Sequence, residues 1–313
     1  MDEERTRRGL RDYVGITLRG ICMGAADVVP GVSGGTMALI TGIYEELILS
    51  IRSIDGQALR LLVNRDWQGL VAYVRWPFLA ALLLGILGAI ASLSKAISWL
   101  LVHEPVLLWS FFFGLVLASV YTVGSRIPKW GFGDISISIL AALGAYVLVA
   151  LVPVETPQTP IYIFLSAILA ICAMILPGIS GSFILVLLGK YHHILQAVNE
   201  RDVFTIFIFG CGAAVGLMSF ARVLGWVLNK YHDLTLALLT GLMLGSLRKI
   251  WPWKETLATI EGRHGKLIPI EQINILPQMM THEVWGALVL AIAGIVLVIL
   301  LERLAGSNAS TDA

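Results

Sequence analysis

Long apolar stretches alternate with short polar ones along almost the whole chain. The apolar segments run at about 13–29, 33–51, 77–102, 105–122, 134–152, 160–176, 180–197, 203–228, 233–248 and 284–302. A helix that crosses a bilayer needs about 20 predominantly apolar residues. Segments such as 77–102 and 284–302 meet that length. The pattern predicts an all-α polytopic membrane protein, with residues 1–313 as one membrane domain.

The two segments flanking Pro30 are together too long for one crossing, so they form a hairpin. Proline ends a helix at the residue before it, and Ser33 is a good cap for a new one. A helix from Ser33 to Tyr44 would rise about 16 Å at about 1.5 Å per residue. That is close to half of a hydrocarbon core of about 30 Å. Tyrosine favours the membrane interface. The hairpin therefore reads as re-entrant, with its corner near mid-depth. Pro177 and Tyr191 give the same reading for a second hairpin.

The two hairpins are copies. Pro30, Gly31, Ser33 and Gly34 recur as Pro177, Gly178, Ser180 and Gly181, and Gly42 and Tyr44 recur as Gly189 and Tyr191. Further on, Gly85, Ser92, Lys95, Trp99 and Gly114 match Gly212, Ser219, Arg222, Trp226 and Gly241 at one constant offset. The stretch 52–76 has no full counterpart. Each unit is a re-entrant hairpin plus two transmembrane helices, at 13–133 and 160–255. A linking helix, 134–152, separates them, and a C-terminal helix, 284–302, follows. An odd number of crossings per period turns the second unit upside down, which gives inverted repeats.

Basic residues orient the chain. Arg5, Arg7, Arg8, Arg11, Arg52, Arg60, Arg65, Arg75, Arg126 and Lys129 all come out cytoplasmic, as does the N-terminus. The turns at 103–104 and 153–160 hold no Lys or Arg and come out external, as the positive-inside rule requires. The loop 249–283 departs from it. It comes out external yet carries Lys249, Lys254, Arg263 and Lys266.

Composition narrows the class. The chain is 57% hydrophobic and 14% charged, against about 25% charged in soluble domains. A net charge of +1 without a basic motif gives no reason to expect a nucleic-acid partner. Cys22, Cys172 and Cys211 lie in apolar segments, lack metal-ligand spacing and read as small buried hydrophobes. No cofactor is implied. Trp67, Trp76, Trp130, Trp251 and Trp253 lie near span ends, as aromatic anchors do.

Paired helix breaks at equivalent places of a duplicated membrane protein point to a transport site near the midplane. A helix restarting at Ser33 leaves free N–H groups on Gly34, Gly35 and Thr36 at the positive end of its dipole. Phosphate is a natural guest there. Ser180, Gly181 and Ser182 would repeat the arrangement from the opposite side. No Lys follows the glycines, so the segment is not a Walker loop. The competing reading is a hairpin turn whose small residues serve only close packing.

Four charges lie inside apolar segments: Arg19, Asp27, Lys95 and Arg222. Such charges are costly and normally face a partner or a cavity. Lys95 and Arg222 are equivalent under the repeat. Either they hold an anionic substrate or they snorkel to the interface. Arg19 reads as an interfacial anchor. Asp27 either binds a coupling ion (a proton or sodium) or pairs with Arg19. Glu45 and Glu46, opposite His192 and His193, read as solvated helix ends or as gating groups.

The run Gly24-Ala25-Ala26-Asp27-Val28-Val29-Pro30-Gly31-Val32-Ser33-Gly34-Gly35-Thr36, with its echo at Pro177 to Ser182, resembles the polyprenyl-phosphate transporter family (PopT) of bacterial and archaeal cytoplasmic membranes. The resemblance covers about Tyr13 to Trp253. It implies a transporter, not an enzyme, that returns undecaprenyl phosphate from the outer to the inner leaflet for cell-envelope synthesis. It carries motif roles to Asp27, Pro30, Gly31, Ser33, Gly34, Gly35 and Thr36, and to Pro177, Gly178, Ser180, Gly181 and Ser182. The assignment of Lys95 and Arg222 to the phosphate comes from the repeat, not from the family. A membrane lipid-pyrophosphate phosphatase is one alternative. It would want an Arg where Gly34 and Gly181 stand, and a base that the sequence does not offer. A small anion or ion channel is another.

Overall fold

The structure is a computed structural model and describes residues 8–29, 32–261, 267–277 and 281–309. Pro30 and Gly31 of the first corner lie outside the described residues, as do Arg5, Arg7, Arg263 and Lys266. Helix α1 (Leu10–Val28) and α2 (Gly34–Ile40) form the first hairpin, and α3 (Tyr44–Arg52) continues it. Two short helices follow, α4 (Gly56–Val63) and α5 (Trp67–Tyr73). Then come α6 (Trp76–His103), α7 (Pro105–Ser125) and α8 (Phe132–Leu148). The second half repeats the order with α9 (Pro160–Ile175), α10 (Gly181–Leu187), α11 (Tyr191–Glu200), α12 (Val203–Lys230) and α13 (His232–Ile250). Strands β1 (Lys254–Glu261) and β2 (Leu267–Asn274) form an antiparallel pair before α14 (His282–Ala309).

Among the described residues, Trp76–His103, Pro105–Ser125, Val203–Lys230 and His282–Arg303 are long and apolar enough to cross a membrane. Their outward faces carry large apolar side chains, such as Leu83, Leu84 and Leu87 on α6. A surface that apolar suits lipid rather than water.

Local chemistry sets the element ends. Pro residues sit in the first turns of α6, α7 and α9, where a missing N–H costs nothing. Asp55, Asp66 and Asp202 cap α4, α5 and α12 through their carboxylates. Gly42 and Gly189 adopt positive φ, +74° and +65°, which side chains disfavour. Each therefore breaks its return arm a second time. The single helix expected from Ser33 to Tyr44 stops at Ile40, and the apolar segment 180–197 divides into α10 and α11. The stretch 52–76, which has no full counterpart in the second half, holds α4 and α5. The described residues are predominantly helical, as an all-α membrane protein requires, and within 249–283 the chain adds the short β1–β2 hairpin.

The helices pair in matching ways. Helix α1 packs on α6 and α9 packs on α12. Gly85 of α6 lies against Thr17 and Gly20, and Gly212 of α12 lies against Phe164 and Ala167. Helix α7 packs on α14 and α13 packs on α8. Gly114 abuts the Ala291 backbone, and Gly241 abuts the Ser138 backbone. Small residues let membrane helices approach this closely. The helix after each unit thus lies against the other unit, and α7 and α13 meet at the centre.

Candidate functional site: the junction of two hairpin corners

The first return arm lies in the core. Every residue of α2 is buried, and Val29, Val32 and Ile40 around it are almost wholly so. Its N-terminus is fully engaged. Gly34 N–H donates to Asp27 Oδ1 at 2.7 Å, Gly35 N–H to Ser33 Oγ at 3.1 Å, and Thr36 N–H to Ser33 O at 2.9 Å. The amides expected to face a cavity are therefore taken within the corner. The chain bends Asp27, the penultimate residue of α1, back over the start of α2. A Cβ on Gly34 would lie 2.6 Å from Asp27 Oδ2. The Asp27 carboxylate is thus the oxyanion at this helix start, and it bonds Gly34 rather than pairing with Arg19.

The second corner is built differently. Gly178 takes φ of +89°, and a Cβ there would meet Ser246 Oγ of α13 at 2.7 Å. Ser180 Oγ pairs with Ser182 Oγ at 2.7 Å and caps no amide. Among the described residues, the N–H groups of Gly181, Ser182 and Phe183 have no acceptor. A helix start with unpaired donors is receptive to an anion. The copy of Asp27 is Met174, so the second corner lacks a carboxylate of its own.

The two corners touch. Gly178 N–H donates to Thr36 Oγ1 at 3.0 Å. Ser33 Oγ lies 3.1 Å from Met174 O and 3.2 Å from Leu176 O, and donates to one or the other. Tyr44 OH donates to Ile175 O at 3.1 Å. The last carbonyls of a helix have no partner within it. Those of α9 find theirs in hydroxyls of the first hairpin. Gly35 permits the approach, since a Cβ would lie 2.5 Å from Ile175 O.

Lys95 and Arg222 are not at this junction. Both are exposed on the outer faces of α6 and α12. Arg222 lies close enough for its charge to act on Asp55 and Tyr73, beside α4 and α5.

Two polar clusters mark the ends of the bundle. At one, Glu45 pairs with His232 Nε2 at 3.2 Å and Glu46 with Arg8 at 2.7 Å. A cavity of about 250 Å³ there is lined by Gly42, Tyr44, Glu45, Arg126 and His232. Arg126 Nη1 donates to Leu39 O, the end of the first return arm. At the other end, Lys249 Nζ stands 4.9 Å over the Phe183 ring, and Lys254 Nζ stands 4.6 Å over the Trp109 ring. Lys254 also donates to the Lys249 carbonyl. Burial, and secondarily the Lys249 charge, push the Lys254 ammonium down to about 7. The sequence signal for this pair was its breach of the positive-inside pattern.

A family model described as undecaprenyl phosphate translocase-like matches residues 23–268. A polyprenyl-phosphate transporter of Vibrio cholerae is 46% identical over 302 residues, 94% of this chain and 97% of the relative. A polyprenyl-phosphate transporter of Staphylococcus aureus is 30% identical over 253 residues, 75% of this chain and 85% of the relative. No solved structure matches. The match spans both hairpin corners and the helices that carry them, and the chain belongs to the undecaprenyl phosphate translocase-like family.

Proposed function

We propose that this chain moves polyprenyl phosphate from the outer to the inner leaflet of the cytoplasmic membrane, recycling the carrier lipid of envelope synthesis. Two inverted repeats would alternate access around the joined corners, with the N-terminus cytoplasmic. The transporter names of its relatives favour this over a lipid-pyrophosphate phosphatase.

The observation that carries the reading is the contrast between the corners. One helix start is closed by its own carboxylate, and the other has three unpaired amides beside two hydroxyls. The phosphate binds first at Ser180, Gly181 and Ser182, with Pro177 and Gly178 setting the turn. It is shared with Ser33, Gly34, Gly35 and Thr36 as the junction rearranges. Asp27 must then yield Gly34 N–H, and taking up a coupling proton would make it do so. The isoprenoid tail needs no polar partner and stays in lipid.

Native mass spectrometry of the purified protein tests this. A prenyl phosphate lipid should co-purify with the wild type and be depleted from Ser180→Ala. Recovery of bulk phospholipid only, from both, would overturn the reading.

A further inference from the structure

We infer that Lys249 and Lys254 form a capture site for a phosphate monoester at the β-hairpin end of the bundle, next to the second corner. The inference rests on the reading that the chain carries polyprenyl phosphate, and it assigns cations that the two corners themselves lack.

Both ammonium groups are half-buried, and no carboxylate is within ion-pair distance of either among the described residues. Cations held out of water usually face a counter-charge or a functional anion. An ammonium has three donors. Lys254 uses one on the Lys249 carbonyl, and Lys249 Nζ has no acceptor among the described residues. Each stands over an aromatic ring, which steadies a desolvated cation without neutralising it.

Position ties the pair to the corner. Gly178 packs against Ser246 on α13. Lys249 follows Ser246 by three residues, so both project from one face of that helix. The ring under Lys249 is Phe183 of α10, adjacent to Ser182. Trp251 stacks edge-on with Phe113 and Trp253, walling the cluster. Two half-buried ammonium groups with unused donors suit a dianionic phosphate, brought by a lipid or free in solution.

The test is binding of farnesyl phosphate, inorganic phosphate and farnesol to the full chain in detergent, for wild type, Lys249→Gln, Lys254→Gln, and the charge-keeping Lys249→Arg and Lys254→Arg. Loss of one charged hydrogen bond should weaken farnesyl phosphate binding about tenfold to a hundredfold in each Gln variant. The Arg variants should bind far more tightly than the Gln variants, and Lys95→Gln should match the wild type. Farnesol binding should be unchanged throughout. Inorganic phosphate that binds as tightly as farnesyl phosphate, with the same lysine dependence, supports the site and assigns it to free phosphate. Farnesyl phosphate affinity equal to wild type in both Gln variants overturns the capture site and leaves the transport reading standing. A wild type that binds no prenyl phosphate overturns both.

Discussion

Gly178 N–H donates to Thr36 Oγ1 at 3.0 Å, a bond between hairpin corners 142 positions apart in the chain. It joins two copies of one motif across the middle of the bundle. The hydroxyl that would otherwise serve a ligand holds the opposite corner in place.

Thr36→Val keeps the shape and removes the acceptor. The Gly178 N–H is then buried without a partner, which costs about 1–3 kcal/mol. We expect a lower melting temperature than wild type in the same detergent, and slower lipid-phosphate transport. Unchanged melting would show that the corner bond contributes nothing.

Gly35→Ala and Gly88→Ala should part company. A Cβ at Gly35 would stand 2.5 Å from the Ile175 carbonyl, a backbone atom that cannot swing aside. Overpacking of this kind costs about 1–3 kcal/mol. At Gly88 nothing lies within 4 Å, and alanine in an open helix position gains about 0.5–1 kcal/mol. Thermal unfolding of the two variants separates them.

Arg222→Gln should leave lipid-phosphate affinity within about twofold, since the residue is exposed on α12, where solvent and salt screen its charge, and that charge acts on Asp55 and Tyr73. A large loss of affinity, measured by the farnesyl phosphate titration, would return Arg222 to the site.

Stability should rise with pH through Lys254. Its ammonium is pushed down from 10.5 to about 7 in the folded chain. Between those values the unfolded chain holds the proton and the folded chain does not, so the folded state gains as pH rises. The contribution is complete above pH 10.5 and is lost as pH falls through 7. Its charged neighbour is Lys249, while Trp109 faces it from α7 and Asn274 pairs with it across β2. The melting curve of the wild type minus that of Lys254→Met should climb between pH 7 and pH 10. A flat difference would show that Lys254 keeps its proton.

Much of this arrangement was legible in the residues. The repeated Pro-Gly-x-Ser-Gly run marked both corners. Gly85 with Gly212, and Gly114 with Gly241, marked matching helix contacts, because close backbone approach leaves a glycine behind. Gly42 and Gly189 match as well, but a repeated glycine does not show by itself that its positive φ ends the return arm early. What stayed hidden was contact across the chain. No local pattern says that Asp27 folds back onto Gly34, or that Ser33 and Tyr44 close the end of α9. The repeat drew attention to Lys95 and Arg222 because they match. Lys249 and Lys254 are unmatched, and only packing shows that they flank the second corner.

The most direct test of the account is leaflet translocation of a labelled polyprenyl phosphate in proteoliposomes holding the purified chain. The account predicts faster inward movement than in protein-free liposomes, with Ser180→Ala and Thr36→Val markedly slower at equal protein incorporation. Equal rates with and without the protein, or full-speed transport by both variants, would contradict it.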